Sequence, residues 1–152
     1  MERADNLSAS LEDYLEAIYR LVEERKVARV TSIATRLKVH KSSVTGALRA
    51  LAGRGLVNYQ PYGLVTLTEE GVVAARDIVR RHEALSGFFT CVLGLDEMEA
   101  ETAACRMEHA VPRRVTDRLI HFGEFLSESE ADDGATVKQF QKYCRAAHPP
   151  QK

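Results

Sequence analysis

Three apolar stripes of helical period, closing on two short β-prone segments, most constrain what this chain can fold into. Leu11, Tyr14, Leu15, Ile18, Leu21 and Val22 recur at helical spacing, so Ser10 to about Arg25 reads as an amphipathic helix. Ser10 is placed to be its N-cap, with Asp13 completing a capping box. Arg29-Val30 is a short extended link, and Thr31 caps a short helix carrying Ile33, Ala34 and Leu37. After a turn at Lys38–Lys41, Ser42 or Ser43 caps a third helix, whose Val44, Leu48 and Leu51 stripe stops at Gly53-Arg54-Gly55. Leu56–Tyr59 and Leu64–Leu67, joined by Gln60-Pro61-Tyr62-Gly63, read as a β-hairpin. Helix, helix-turn-helix, hairpin is the order of a winged helix-turn-helix, whose third helix enters the major groove with the hairpin as a wing on the backbone.

The charge pattern agrees. From Val27 to Thr68 there is no Asp or Glu, while Arg29, Arg36, Lys38, Lys41, Arg49 and Arg54 are basic. That segment is +6 and the rest of the chain −7, hidden under a net charge of −1. A long acid-free run is what a phosphate-facing module needs, because a carboxylate there would repel the nucleic-acid backbone. Double-stranded DNA is therefore the expected partner of this half. Lys41, Ser42, Ser43 and Thr45 stand at the leading end of the third helix, within reach of base edges and phosphates; Arg49, Arg29, Arg36 and Lys38 are candidates for phosphate.

The second half is helical. Thr68-Glu69-Glu70-Gly71 opens a long helix running through His82 to about Val92, and Gly94 ends it. Asp96 with Glu99 makes a second capping box before the next helix, which Pro112 terminates. Arg113 to Leu126 forms another, with Val115, Leu119, Ile120, Phe122 and Leu126 inward. Ser127 to Ala135 is a small, acidic linker, and Val137 to about Ala147 closes the chain as one more amphipathic helix. The expected class is mainly α: an N-terminal winged helix-turn-helix (1–71), then a C-terminal helical domain for dimerisation and metal binding (72–152), with linker 127–135. Leu85, Phe88, Phe89 and Leu119 supply more apolar surface than a small helical layer needs, which points to a two-fold homodimer.

No long apolar run or signal-peptide core is present, so membrane is excluded as a partner and the cytoplasm is expected. The three cysteines, Cys91, Cys105 and Cys144, form no CxxC pair, which argues against a disulfide framework or a zinc finger.

Cys105-Arg106-Met107-Glu108-His109 places a thiol, a carboxylate and an imidazole on one helix face at i, i+3 and i+4, with Glu101 a turn earlier. Sulfur, oxygen and nitrogen donors together suit a transition metal, although a packed Cys beside surface Glu and His gives the same pattern. Asp13 and Glu16, three apart on the first helix and away from its core stripe, are either further ligands or capping and solvated surface.

Taken in order, Ser10-Leu11-Glu12-Asp13-Tyr14-Leu15-Glu16-Ala17-Ile18-Tyr19, Ala28-Arg29-Val30, Val39–Thr45, Leu67–Gly71, Arg81-His82-Glu83 and Cys105–His109 resemble the diphtheria-toxin-repressor family of metal-activated repressors, including its manganese-regulator branch. The likeness covers roughly residues 8 to 126 and is to the short branch that lacks an SH3-like domain. It implies a dimer held in DNA-binding geometry by divalent metal, repressing genes of iron or manganese uptake. It also implies ligands at Asp13, Glu16, His82, Glu108 and His109. The manganese branch has a glutamate at the position of Cys105; the iron branch has the cysteine but a methionine at the position of Asp13. Glu101 and Ser86 fall at positions of the iron branch's ancillary site, occupied there by histidine and glutamate.

The expected cofactor is Mn²⁺ or Fe²⁺, with Co²⁺, Cd²⁺ or Zn²⁺ able to bind in vitro; Cys105 offers sulfur, its carbonyl, or packing only. Three rivals remain: a metal-independent winged-helix regulator sensing an organic ligand; an enzyme using Cys105 and His109, for which no orienting residue or oxyanion loop is evident; and a metal-storage or structural protein, which leaves the acid-free Val27–Thr68 segment unexplained. A palindromic operator and a second copy of the chain are the expected partners, with no small-molecule substrate.

Overall fold

The computed structural model describes residues 7–60, 63–128 and 134–147. It forms two compact units, Met1–Val79 and Arg80–Lys152.

The first unit contains α1 (Ala9–Arg25), α2 (Val30–Leu37), α3 (Lys41–Gly53), β1 (Val57–Asn58), β2 (Thr66–Leu67) and the start of α4 (Glu69–Cys91). Leu15, Ile18, Ile33, Val44, Leu48, Leu51, Leu56 and Val65 are at most 1% exposed, so the three stripes and the hairpin close on one core. Burying a side chain of this size is worth roughly 1.5–3 kcal/mol, which fixes each helix's phase against the others. The strands pair antiparallel, Val57 with Leu67 and Asn58 with Thr66, and Ala28 adds a rung opposite Val65. The paired segments are shorter than the apolar runs suggested; Pro61 and Tyr62 at the hairpin tip lie outside the described residues.

The helix starts differ from expectation. Ser8, not Ser10, caps α1 in an extended conformation and accepts from Leu11 N–H. Arg29 and His40 occupy the N-cap positions of α2 and α3 without a side-chain cap bond, which puts Thr31, Ser42 and Ser43 inside the first turns. Several hydroxyls compete at each start, and the winner is whichever residue keeps extended backbone once the apolar stripe is seated. At the joint to α4, Thr68 Oγ1 donates to Gly55 O (2.7 Å) and accepts from Gly71 N–H (3.0 Å). Gly71 packs there so closely that an added Cβ would lie 1.8 Å from Leu56 O.

The second unit holds the rest of α4 with α5 (Glu97–Glu108), α6 (Arg113–Glu128) and α7 (Ala135–Ala147). Asp96 caps α5 by accepting from Glu99 N–H at 2.9 Å. Leu85, Phe89, Ala100 and Ala104 are buried together, with Phe88, Met107 and Leu119 against them. Leu85 and Phe89, expected at a dimer face, therefore have almost no surface left (0% and 5%) for a second copy to cover. The phase of α6 also differs from expectation. Thr116 is fully buried and Gly123 faces the Phe88 ring, whereas Val115 and Phe122 are 46% and 50% exposed. In α7 no residue is buried, and Gln141 Nε2 donates to Cys91 O (3.0 Å) at the end of α4. Among the described residues, no helix is long and apolar enough to cross a membrane.

Candidate metal centre and nucleic-acid interface

Within the second unit, four of the expected ligands meet. His82, on α4, lies with Nδ1 2.7 Å from Glu108 Oε2 and Nε2 2.8 Å from Glu101 Oε1. Glu101 and Glu108 share one face of α5 because seven residues make two helical turns. Ser86 Oγ, one turn beyond His82, donates to Glu101 Oε2 (3.2 Å). His109 is the C-cap of α5, and its Nε2 is 3.1 Å from Glu108 Oε1. That distance suits an ion pair, but the geometry is not that of a hydrogen bond, and Glu108 Oε1 has no hydrogen-bond partner.

A carboxylate 1% exposed with an unsatisfied oxygen is costly, since a buried charge needs a counter-charge or a metal. His82, 6% exposed, has a carboxylate oxygen at each ring nitrogen, so coordination through either nitrogen must displace one of those contacts. His82, Glu108 and His109 supply nitrogen and oxygen donors of the kind Mn²⁺ and Fe²⁺ accept, Glu101 stands at the other ring nitrogen of His82 from Glu108, and the orphaned Glu108 oxygen is a position a cation would satisfy. The residues fit the ion.

Arg81, part of the Arg81-His82-Glu83 motif, has a structural role that the sequence does not show. Its Nη1 donates to Glu108 O (3.1 Å), holding the carbonyl end of α5 where the two ligand residues stand. Arg80-Arg81 looks like a solvated pair in sequence, and only the burial of Arg81 distinguishes it. Cys105 lies on the Glu101–Glu108 face, and its side chain is exposed. In the first unit, Asp13 and Glu16 are half-buried on α1, with Glu16 Oε1 2.9 Å from Arg20 Nε.

The basic face of the first unit is concave. Arg29, Lys41, Thr45 and Arg49 line a cleft of about 800 Å³ together with Tyr59, Gly63 and Leu64 of the hairpin. Lys41, Ser42, Ser43 and Arg49 are exposed on α3, and Lys38 is exposed just before it. Thr45 Oγ1 donates to Lys41 O (3.0 Å), leaving its lone pairs for an incoming donor. Arg36 is engaged elsewhere: its guanidinium grips Glu24 in a two-point pair (3.0 and 2.7 Å). That hydrogen bonding holds the Glu24 carboxyl below its ordinary range.

Residues 6–65 match the iron dependent repressor N-terminal DNA binding domain, and residues 68–134 match the metal binding and dimerisation domain of the same repressors. The chain belongs to the iron dependent repressor family. This repressor is a metal-activated, DNA-binding transcriptional regulator that dimerises, and it is not an enzyme. It is 40% identical over 119 residues to MJ0568 of Methanocaldococcus jannaschii, an uncharacterized HTH-type transcriptional regulator, covering 78% of this chain and 95% of that one. The HTH-type transcriptional regulator MntR of Bacillus subtilis is 36% identical over 135 residues, with 88% and 92% of the two chains covered. Among solved structures, a manganese-dependent transcriptional repressor in complex with manganese superposes with a TM-score of 0.66 at 35% identity, covering 72% of this repressor and 50% of that chain.

Proposed function

We propose that Mn²⁺ or Fe²⁺ is the corepressor of this regulator, held by His82, Glu108 and His109 of the second unit with Asp13 and Glu16 of α1. The observation that carries this reading is the buried Glu108 carboxylate, bonded to His82 through one oxygen and unsatisfied at the other. The N/O character of the set and the manganese-dependent solved relative support Mn²⁺; the family description and Cys105 support Fe²⁺. Glu101, hydrogen-bonded to the other ring nitrogen of His82, is proposed to orient that ring or to bind a second ion, and Cys105 is proposed as a donor that tunes ion preference.

The ion supplies positive charge and directional bonds that several carboxylates can share. Asp13, Glu16 and Glu108 repel one another while uncompensated, so α1 keeps conformational freedom that DNA binding must remove. Neutralised and tied to a common centre, the same carboxylates fix α1 and with it the position of α3. Less freedom is then lost when the dimer meets DNA, and affinity rises.

Residues 1–71 are proposed as the DNA-binding domain and 72–152 as the dimerisation and metal-binding domain. Lys41, Ser42, Ser43, Thr45 and Arg49 meet the operator, with Arg29, Arg36 and Lys38 toward its phosphates; Arg36 must exchange Glu24 for phosphate to do so. Two copies present two α3 helices to a palindromic operator in the cytoplasm. The half-buried Phe88 and Leu119 and the exposed Phe122 and Phe125 are proposed to carry the dimer face.

Asp13→Ala tests the ligand set. The variant is expected to remain a folded dimer by light scattering and to lose the gain in operator affinity with Mn²⁺ or Fe²⁺. A retained metal response would refute the assignment of α1 to the site.

A further inference from the structure

The middle of α3 carries a residue that its own fold does not require. Gly46 is the sixth residue of a thirteen-residue helix. Its backbone is not in the left-handed region, and an added Cβ would meet nothing within 4 Å. Neither backbone conformation nor packing asks for glycine there. Glycine inside a helix is also less favourable than alanine, because its backbone loses more freedom on folding.

Its position on the helix explains what the fold does not. Val44, Ala47, Leu48 and Leu51 form the buried face of α3. At 3.6 residues per turn, the opposite face is Ser42, Gly46, Arg49 and Gly53, all exposed, with Gly46 near its centre. Lys41 and Arg49, the two cations that α3 contributes to the basic cleft, flank Gly46 along the helix.

We propose that Gly46 is a specificity-determining position: its missing side chain lets the backbone of α3 approach base edges in the major groove closely. The reading rests on α3 being the DNA-reading helix. Lys41 and Arg49 then set the helix on the phosphates, and the hydroxyls of Ser42 and Thr45 reach bases that a longer residue at 46 would hold away. Base pairs opposite Gly46 are selected by fit to a bare helix surface.

The test uses the full chain saturated with Mn²⁺, an operator duplex selected with the wild type, and a scrambled duplex of equal length. Gly46→Ala is expected to melt ~2–4 °C higher, from the regained helix propensity, while binding the operator more weakly. Gly46→Leu, also a good helix former, is expected to lose ~10-fold or more on the operator with unchanged affinity for the scrambled duplex. Selection repeated with Gly46→Leu is expected to return a different sequence at the central positions of each half-site. Operator affinity of Gly46→Leu within about twofold of wild type would overturn the proposal, and so would an equal loss on both duplexes. Lys41→Ala separates the two readings, since it should weaken both duplexes alike. If wild type prefers neither duplex and Lys41→Ala changes nothing, the DNA-reading role of α3 fails and the proposal falls with it.

Discussion

Gly71→Ala is expected to destabilise the chain through one named contact. The new methyl would sit 1.8 Å from Leu56 O and 2.9 Å from Leu56 C, and both are backbone atoms that cannot swing aside. Contacts of Cβ below 3.0 Å are essentially never seen, so α4 and the β1 segment must separate by more than an ångström. Such overpacking costs ~1–3 kcal/mol. Separation also loosens Thr68 N–H to Leu56 O (3.1 Å) and Thr68 Oγ1 to Gly55 O (2.7 Å). Each of those hydrogen bonds is worth ~1 kcal/mol net. Replacing glycine returns ~0.4–1 kcal/mol through the unfolded chain. The balance is a loss of roughly 2–4 kcal/mol, or ~6–12 °C in melting temperature for a chain of this size. Far-UV circular dichroism melts at one fixed protein concentration would read it, since dimerisation makes the midpoint concentration-dependent. Gly87→Ala is the matched control, because nothing lies within 4 Å of its added Cβ, and it should gain ~0.5–1 kcal/mol. If Gly71→Ala melted at the wild-type temperature or shifted upward with Gly87→Ala, the close approach of α4 to Leu56 would be refuted.

Lys41→Ala and Arg49→Ala should weaken operator binding and each lower the slope of log affinity against log salt by ~1, with metal affinity unchanged by isothermal titration. An unaltered salt slope would remove those residues from the phosphate contacts. Arg36→Gln should return the Glu24 carboxyl to its ordinary titration range, measurable by NMR. Because Glu24 is lowered in the folded state, the stability from this pair is present above the ordinary glutamate range and is lost as acidification passes below it. A stability difference between wild type and Arg36→Gln that persists in acid would contradict that sign. Cys105→Ser should shift the relative potency of Co²⁺ and Mn²⁺ in DNA binding while leaving activation intact. Complete loss of activation by every ion would make the thiol indispensable and contradict its tuning role.

The winged helix-turn-helix was legible because its elements obey simple periods: Leu15, Ile18, Val44, Leu48 and Leu51 are buried where their spacing put them. Cap positions were less legible, since Ser8 and Ser10 both carry a suitable hydroxyl and sit one turn or less from the same stripe. In α6 two apolar faces compete, and the small Gly123 and buried Thr116 decide the phase that Val115 and Phe122 appeared to set from their hydropathy. Leu85 and Phe89 show the same ambiguity, because apolar content does not distinguish a chain's own core from a surface kept for a partner. At the metal centre, the pairing of His82 with Glu101 and Glu108 follows helix spacing on α5. The roles of Arg81 and of Glu24 against Arg36 depend on neighbours distant in sequence, and no local pattern encodes them.

The most direct test is operator binding by fluorescence anisotropy under anaerobic conditions, with an operator selected from random duplexes in the presence of metal. The duplex would be titrated with protein in chelator, then in Mn²⁺, Fe²⁺, Co²⁺ or Zn²⁺. Metal-linked activation predicts at least ~10-fold tighter binding with Mn²⁺ or Fe²⁺, abolished again by chelator. Equal affinity in chelator and in every metal would contradict it.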